Sequence, residues 1–263
     1  MHYWIENQLN LVQFAPYLFL VSIVLFLLLG WLYGRYRLRK SPNIIVRDSL
    51  ASAIFGLSAL VLGFTFSNAN DHFDQRMSLL REQAASIEQV YDSTRYLNSS
   101  DQVSAQKALK TLLSLRLAAY EGAHSFNDLD DHLDQLSKQL NIVNEVITLA
   151  IQRSPPATKE LADKILRPQL SHLMDVSQSG IQNAKHHPPA ILERFLFILL
   201  SIGSLLSGYA MAAQQQEDWF LTGLYLFLMS FALVVIFSLE FPNQLFEFQT
   251  INSDFLRLKK ELH

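Results

Sequence analysis

Apolar and polar positions fall into four long apolar blocks separated by striped, water-compatible segments. No charged residue occurs in 14–34, 49–70, 195–216 or 219–239. Each block is long enough to cross a hydrocarbon core of roughly 30 Å as a helix. The second block does not end at the interface. No proline or glycine follows Gly63 for several turns, and past Asp71 the apolar positions Phe73, Met77, Leu80, Ala84, Ile87 and Tyr91 recur at 4,3,4,3,4 spacing. That spacing is a coiled-coil seam. The pattern predicts a spanning helix that leaves the membrane and continues as an amphipathic one.

Residues 71–190 carry helical stripes and no strand alternation. Asn98-Ser99-Ser100-Asp101 breaks the long helix and offers capping oxygens to the next, whose apolar set is Val103, Leu109, Leu112, Leu113 and Leu117. Gly122 ends that helix. A third helix carries Leu129, Leu133, Leu136, Leu140, Val143, Ile147 and Ala150 in strict heptad spacing, up to the break at Ser154-Pro155-Pro156. A fourth carries Leu161, Ile165, Leu170, Leu173 and Val176, with Pro168 expected to kink or break it. The fold class is therefore all-α: four transmembrane helices, an inserted extramembrane helical bundle and a coiled-coil-like extension of the second span. The expected divisions are 1–70, with the first two spans; 71–190, the bundle; 191–240, spans three and four; and 241–263, a tail. The tail is expected to lie on the membrane surface or pack under the bundle.

Small residues mark the close contacts of a membrane protein, because no hydrophobic effect drives helices together there. Gly30 and Gly34 on the first span, and Ser204 and Gly208 on the third, are such candidates. The second span carries a longer stripe of small or polar residues: Ser52, Gly56, Ala59, Gly63, Ser67 and Asn70. The plainer reading is ordinary helix packing; the sharper one places this stripe around the axis of an oligomer.

Composition agrees with the pattern: 50% of residues are hydrophobic and 17% charged. There is no cysteine, which excludes disulfides and thiolate chemistry, and the net charge of −3 argues against nucleic-acid partners. Arg35, Arg37, Arg39, Lys40 and Arg47 crowd the first loop, beside Trp31, Tyr33 and Tyr36 at belt positions. By the positive-inside rule this loop is cytoplasmic, which puts 71–190 outside the cytoplasm of what reads as a bacterial inner membrane. Arg76 and Arg81, and Arg257, Lys259 and Lys260 in the tail, pull the other way.

Candidate chemistry is sparse. The sequence holds no phosphate loop, nucleophile elbow or zinc motif, so neither an enzyme nor a cofactor is expected. Asp128, Asp131 and His132 share a helix face, but a solvated acidic surface explains them better than a metal site. His124 and His172 stand alone, and His186 and His187 read as linker residues. No ionisable residue lies inside a span, which disfavours a proton-coupled pump. The span ends carry Asn68, Asn70, Asp71, Asp74 and Glu240, where polar groups are common.

Leu62-Gly63-Phe64, followed by Asn68, Asp71, Asp74 and Arg76 and then a heptad helix, resembles the bestrophin-like domain family of bacterial four-span membrane proteins. Leu239-Glu240-Phe241-Pro242 resembles that family's closing acid-x-proline motif. The chain is more distantly similar to the bestrophins, pentameric anion channels with a pore-lining second helix. That resemblance implies a homopentamer passing inorganic ions, with Phe64 as a neck residue, Leu60 one turn earlier, and Gly56, Ser67 and Asn68 along the pore. It also implies a cytoplasmic bundle. The chain departs from the bestrophin pattern at Gly56, where a bulky apolar residue is usual, and in lacking the arginine and paired tryptophans after the motif.

Two functions are therefore expected. One is an oligomeric ion channel built around the second span, with Phe64 and Leu60 as a hydrophobic constriction. The other is a non-conducting interaction or sensory protein that sits in the lipid bilayer and acts through its bundle.

Overall fold

The computed structural model describes residues 15–40, 48–121, 126–185, 190–213, 219–240 and 247–262. These form helices and no strand: α1 (Ala15–Lys40), α2 (Asp48–Ser93), α3 (Ser99–Glu121), α4 (Phe126–Gln152), α5 (Arg167–Lys185), α6 (Ala190–Ala213), α7 (Trp219–Glu240), α8 (Phe248–Ile251) and α9 (Ser253–Glu261). The all-α expectation is borne out. Four helices are long and apolar enough to span a membrane: Tyr17–Lys40, Ser52–Tyr96, Phe195–Ala213 and Trp219–Glu240. At 1.5 Å per residue the 46 residues of α2 extend roughly 70 Å, more than twice a hydrocarbon core. The chain divides into two compact units, and α2 contributes residues to both.

The membrane unit contains α1, α2 up to residue 73, α6 and α7. Its closest contact joins α1 to α6. A Cβ added at Gly30 would overlap the Leu205 carbonyl, one at Gly34 would meet the Ala212 Cβ at 2.8 Å, and one at Gly208 would overlap the Leu27 carbonyl. Ser204 is buried. Glycine lets these backbones touch where any side chain would hold them apart. Aromatic pairs fix the directions. Phe19 meets Phe197 near one end of α1 (5.1 Å between ring centroids) and Tyr33 meets Tyr209 near the other (6.0 Å), so α1 and α6 run parallel. Phe19 also meets Phe237, and Trp31 meets Trp219, so α7 runs opposite to α1. Ile23, Leu196, Leu200 and Leu233 form the buried centre, with Val61 and Leu62 of α2 against it.

The second unit holds α2 from residue 74, then α3, α4, α5, α8 and α9. The α4 heptad faces inward as its spacing predicts: Leu133, Leu136, Leu140, Val143, Ile147 and Ala150 are all buried. They meet Ala84, Ile87 and Val90 of α2, Leu109, Leu112 and Leu113 of α3, and Leu170 and Leu173 of α5. Pro168 does not break its helix. The five residues before α5, Ala162–Leu166, take π-helical form instead. A proline ring clashes with the carbonyl four residues back, and a widened turn moves that carbonyl away. The tail packs into the bundle: Phe255 and Leu258 are buried in the same core, and Phe248, Leu256 and Leu262 lie against it. One end is pinned by polar contacts, with Asn98 Nδ2 donating to the Arg153 carbonyl at 2.5 Å, Thr158 Oγ1 to the Tyr96 carbonyl at 2.7 Å, and Arg153 paired to Asp101 at 2.9 Å.

Candidate functional site

The membrane half of α2 has two faces, set by residue size. One packs on the rest of the unit. Phe55 meets Tyr225 edge-on at 5.7 Å and lies beside Gly203. Ser58 and Ala69 are buried, and Val61, Leu62 and Thr65 are half-buried. Ser58 and Thr65 return their hydroxyl protons to the carbonyls of Ile54 and Val61, each at 2.8 Å. In hydrocarbon that bond satisfies the hydroxyl without an outside partner.

The opposite face is uncovered. Ser52, Gly56, Ala59, Gly63, Ser67 and Asn68 are all exposed, and a Cβ added at Gly56 or Gly63 would meet nothing within 4 Å. Phe64 is 67% exposed and Leu60 55%. The small-residue positions therefore part company. Gly30, Gly34 and Gly208 sit at the α1–α6 contact and Ser204 is buried, whereas Ser52 and Ala59 are exposed and a Cβ at Gly63 would meet nothing within 4 Å.

At the exit of α2, Asn70 is half-buried and Asp71 exposed. His72 Nδ1 lies 3.7 Å from Glu240 Oε1, and Glu240 is 8% exposed at the end of α7. Together with Phe55 and Tyr225, this contact sets α2 parallel to α7, so the four spans alternate in direction. Sequence reasoning named Glu240 but not its neighbour. A lone acid closing an apolar span was the signal that a partner had to be near. Asp74 is exposed in the second unit. At the other end of α1, the Arg35 guanidinium lies 4.8 Å over Trp31, Lys40 lies 4.8 Å over Tyr36, and Arg37 donates to the Tyr209 hydroxyl at 3.4 Å. These are interfacial anchors.

No group of three metal-ligating side chains lies together among the described residues. Asp131 is exposed and Asp128 half-buried, while a ring nitrogen of His132 lies 3.3 Å from the Ala119 carbonyl. His172 pairs with Glu82 at 3.3 Å on the surface. His124, His186, His187, Arg47, Phe241 and Pro242 fall outside the described residues.

No protein-family model and no curated protein sequence matches this chain. Solved structures do. A bacterial bestrophin homologue from Klebsiella pneumoniae, carrying a leucine-to-threonine mutation, superposes with a TM-score of 0.66 at 14% identity, over 93% of this chain and 98% of that one. Another crystal structure of a bestrophin homologue from that organism, with a tryptophan-to-alanine mutation, gives 0.61 at 15% identity, over 95% and 97%. The likeness runs through both units, and at that identity it is one of architecture: this chain is an integral membrane protein with the bestrophin fold.

Proposed function

We propose that the chain assembles into a homo-oligomeric ion channel, with the membrane half of α2 around the central axis. One observation carries the reading. α2 is packed along Phe55, Ser58, Leu62, Thr65 and Ala69, while the face bearing Gly56, Leu60, Gly63, Phe64, Ser67 and Asn68 is left bare by its own protomer. Ser67 and Asn68 are poorly suited to lipid, and small residues at 56, 59 and 63 leave room for close neighbours. The bestrophin fold supports both the channel and a pentamer. Phe64 and Leu60 then form a constriction that gates by dewetting. Asp71 at the exit favours cations at that mouth, since rings of acid select them. The membrane is the bacterial inner membrane.

Particle symmetry by cryo-EM and ion flux from proteoliposomes test the proposal together. A ring of copies with α2 innermost, and a flux that Phe64→Ala raises several-fold, is the expected result. A monomer or dimer, an absence of ion flux, or a flux that does not respond to Phe64→Ala refutes it.

A further inference from the structure

Where α3 packs against α9, the extramembrane bundle carries a groove of about 220 Å³ that is open to solvent. α3 lines it with Lys107, Lys110, Thr111 and Ser114, which share one helix face at i, i+3, i+4 and i+7. α9 adds Lys259, and Leu113 and Leu262 supply apolar wall. Three ammonium groups thus line one groove, and no acidic residue lines it among the described residues.

None of the three lysines pairs with a carboxylate among the described residues. Acids close to them in sequence or on neighbouring helices are drawn elsewhere. Arg257 takes Glu88 at 3.9 Å and Glu261 at 3.7 Å, and Arg153 takes Asp101 at 2.9 Å. Lys110 lies 5.9 Å over the Tyr91 ring, a contact that uses none of its N–H donors. Thr111 and Ser114 return their hydroxyl protons to the carbonyls of Lys107 and Lys110, at 3.0 and 2.9 Å, so the attraction of the groove is the lysines' own. Like charges one helical turn apart stand about 5–6 Å from each other at Cβ and repel. The screening length at physiological salt is about 8 Å, so salt leaves much of that repulsion in place. An anion seated among the lysines removes it.

Lysine chemistry narrows the anion. An ammonium is a point charge with three rotatable donors, which suits a tetrahedral phosphate, whereas a planar carboxylate suits arginine's fork. One phosphate carries a charge of about −1.5 to −2 and cannot balance three lysines. Volume agrees: on the scale at which about 150 Å³ takes benzene, 220 Å³ takes roughly nine heavy atoms. A diphosphate has that many, and a single phosphate or sulfate roughly half. We infer that this groove binds a pair of linked phosphate groups, as in a diphosphate, held between Lys107 and Lys110 on one side and Lys259 on the other. The open side admits whatever group the phosphates are attached to. The site does not depend on conduction.

Acetylation by a water-soluble N-hydroxysuccinimide ester, read lysine by lysine by mass spectrometry, tests this on the full-length protein in phosphatidylcholine nanodiscs. Two sources of linked phosphates are compared at constant ionic strength: inorganic diphosphate in solution, and cardiolipin in the bilayer with no diphosphate present. Lys107, Lys110 and Lys259 should each react about fivefold more slowly in at least one arm. The arm that protects them identifies the source as a free anion or a lipid headgroup. Sulfate should protect about tenfold less well, and Lys138, exposed on α4, should keep its rate throughout. Lys110→Gln should raise about tenfold the concentration of the protecting species that half-protects Lys259. Protection in neither arm, equal protection by sulfate, equal protection of Lys138, or protection of Lys259 that ignores Lys110→Gln overturns the proposal.

Discussion

Adding one methyl group at Gly208 tests whether the α1–α6 contact holds the membrane unit together. In Gly208→Ala the new Cβ falls 2.8 Å from the Trp31 amide nitrogen and 3.0 Å from the Leu27 carbonyl carbon, with the Leu27 carbonyl oxygen nearer still. All three are backbone atoms of α1, so no side chain can swing aside. Optimal heavy-atom contact is about 3.5 Å, so the helices must part by roughly 0.7 Å or more, which forfeits a quarter to a half of each dispersion well along the seam. Overpacking costs about 1–3 kcal/mol, and a backbone obstacle puts this site at the upper end. Higher helix propensity returns up to about 1 kcal/mol. The net loss is about 2 kcal/mol. Gly223→Ala on α7 is the control, because its Cβ would meet nothing within 4 Å and only the propensity gain remains. The two variants should differ by about 3 kcal/mol. Titration of the detergent-solubilised protein with sodium dodecyl sulfate reads this through tryptophan fluorescence, since Trp31 and Trp219 lie 5.7 Å apart in the folded unit. Equal unfolding midpoints for the two variants would refute the claim that backbone contact at Gly208 is close in the folded protein.

Gly63→Leu should leave unfolding of the isolated protomer within about 0.5 kcal/mol of normal beyond its propensity gain, yet abolish assembly, as read by light scattering coupled to size exclusion; normal assembly would remove this face from the subunit contact. Asp71→Asn should lower the preference for cations over anions, measured as a shift of reversal potential in planar bilayers; no shift places Asp71 away from the ion path. Because the chain has no cysteine, Gln135→Cys creates a single label site on an exposed position of α4. Reaction with a membrane-impermeant maleimide in intact spheroplasts is the outcome the first loop's basic residues predict. Protection until permeabilisation is the outcome the bestrophin likeness implies.

The α4 heptad was legible because water enforces it: a stripe from Leu133 to Ala150 has to be covered, and spacing says which side. The convergence of Lys107, Lys110 and Lys259 was not legible, since a lysine beside a seam looks the same whether it faces open water or a groove. The membrane stripes show the opposite limit. Gly30, Gly34, Gly56, Gly63 and Gly208 have the same chemistry, and only the structure separates those touched by another span of the chain from those that are not. Sequence could not make that separation because lipid imposes no rule on which small residues must be buried. The tail's two expected places, membrane surface or bundle, could not be told apart from spacing alone, and the burial of Phe255 and Leu258 puts it in the bundle. The π-helical turn before Pro168 left no sequence mark beyond the proline itself.

The α1–α6 contact also sets a timetable. Gly30 and Leu205 are about 175 positions apart, and a ribosome adds roughly 5–20 residues each second. α1 therefore waits on the order of ten to thirty-five seconds in the bilayer before α6 emerges to fill its glycine notches. Over that interval the rest of α2 and then α3, α4 and α5 are synthesised, so the greater part of the bundle has time to form before the first and third spans meet, while α8 and α9, with Phe255 and Leu258, are added only after α7. A nascent chain stalled before α6 leaves α1 with two open notches and no partner of its own, in a form that membrane quality control can recognise.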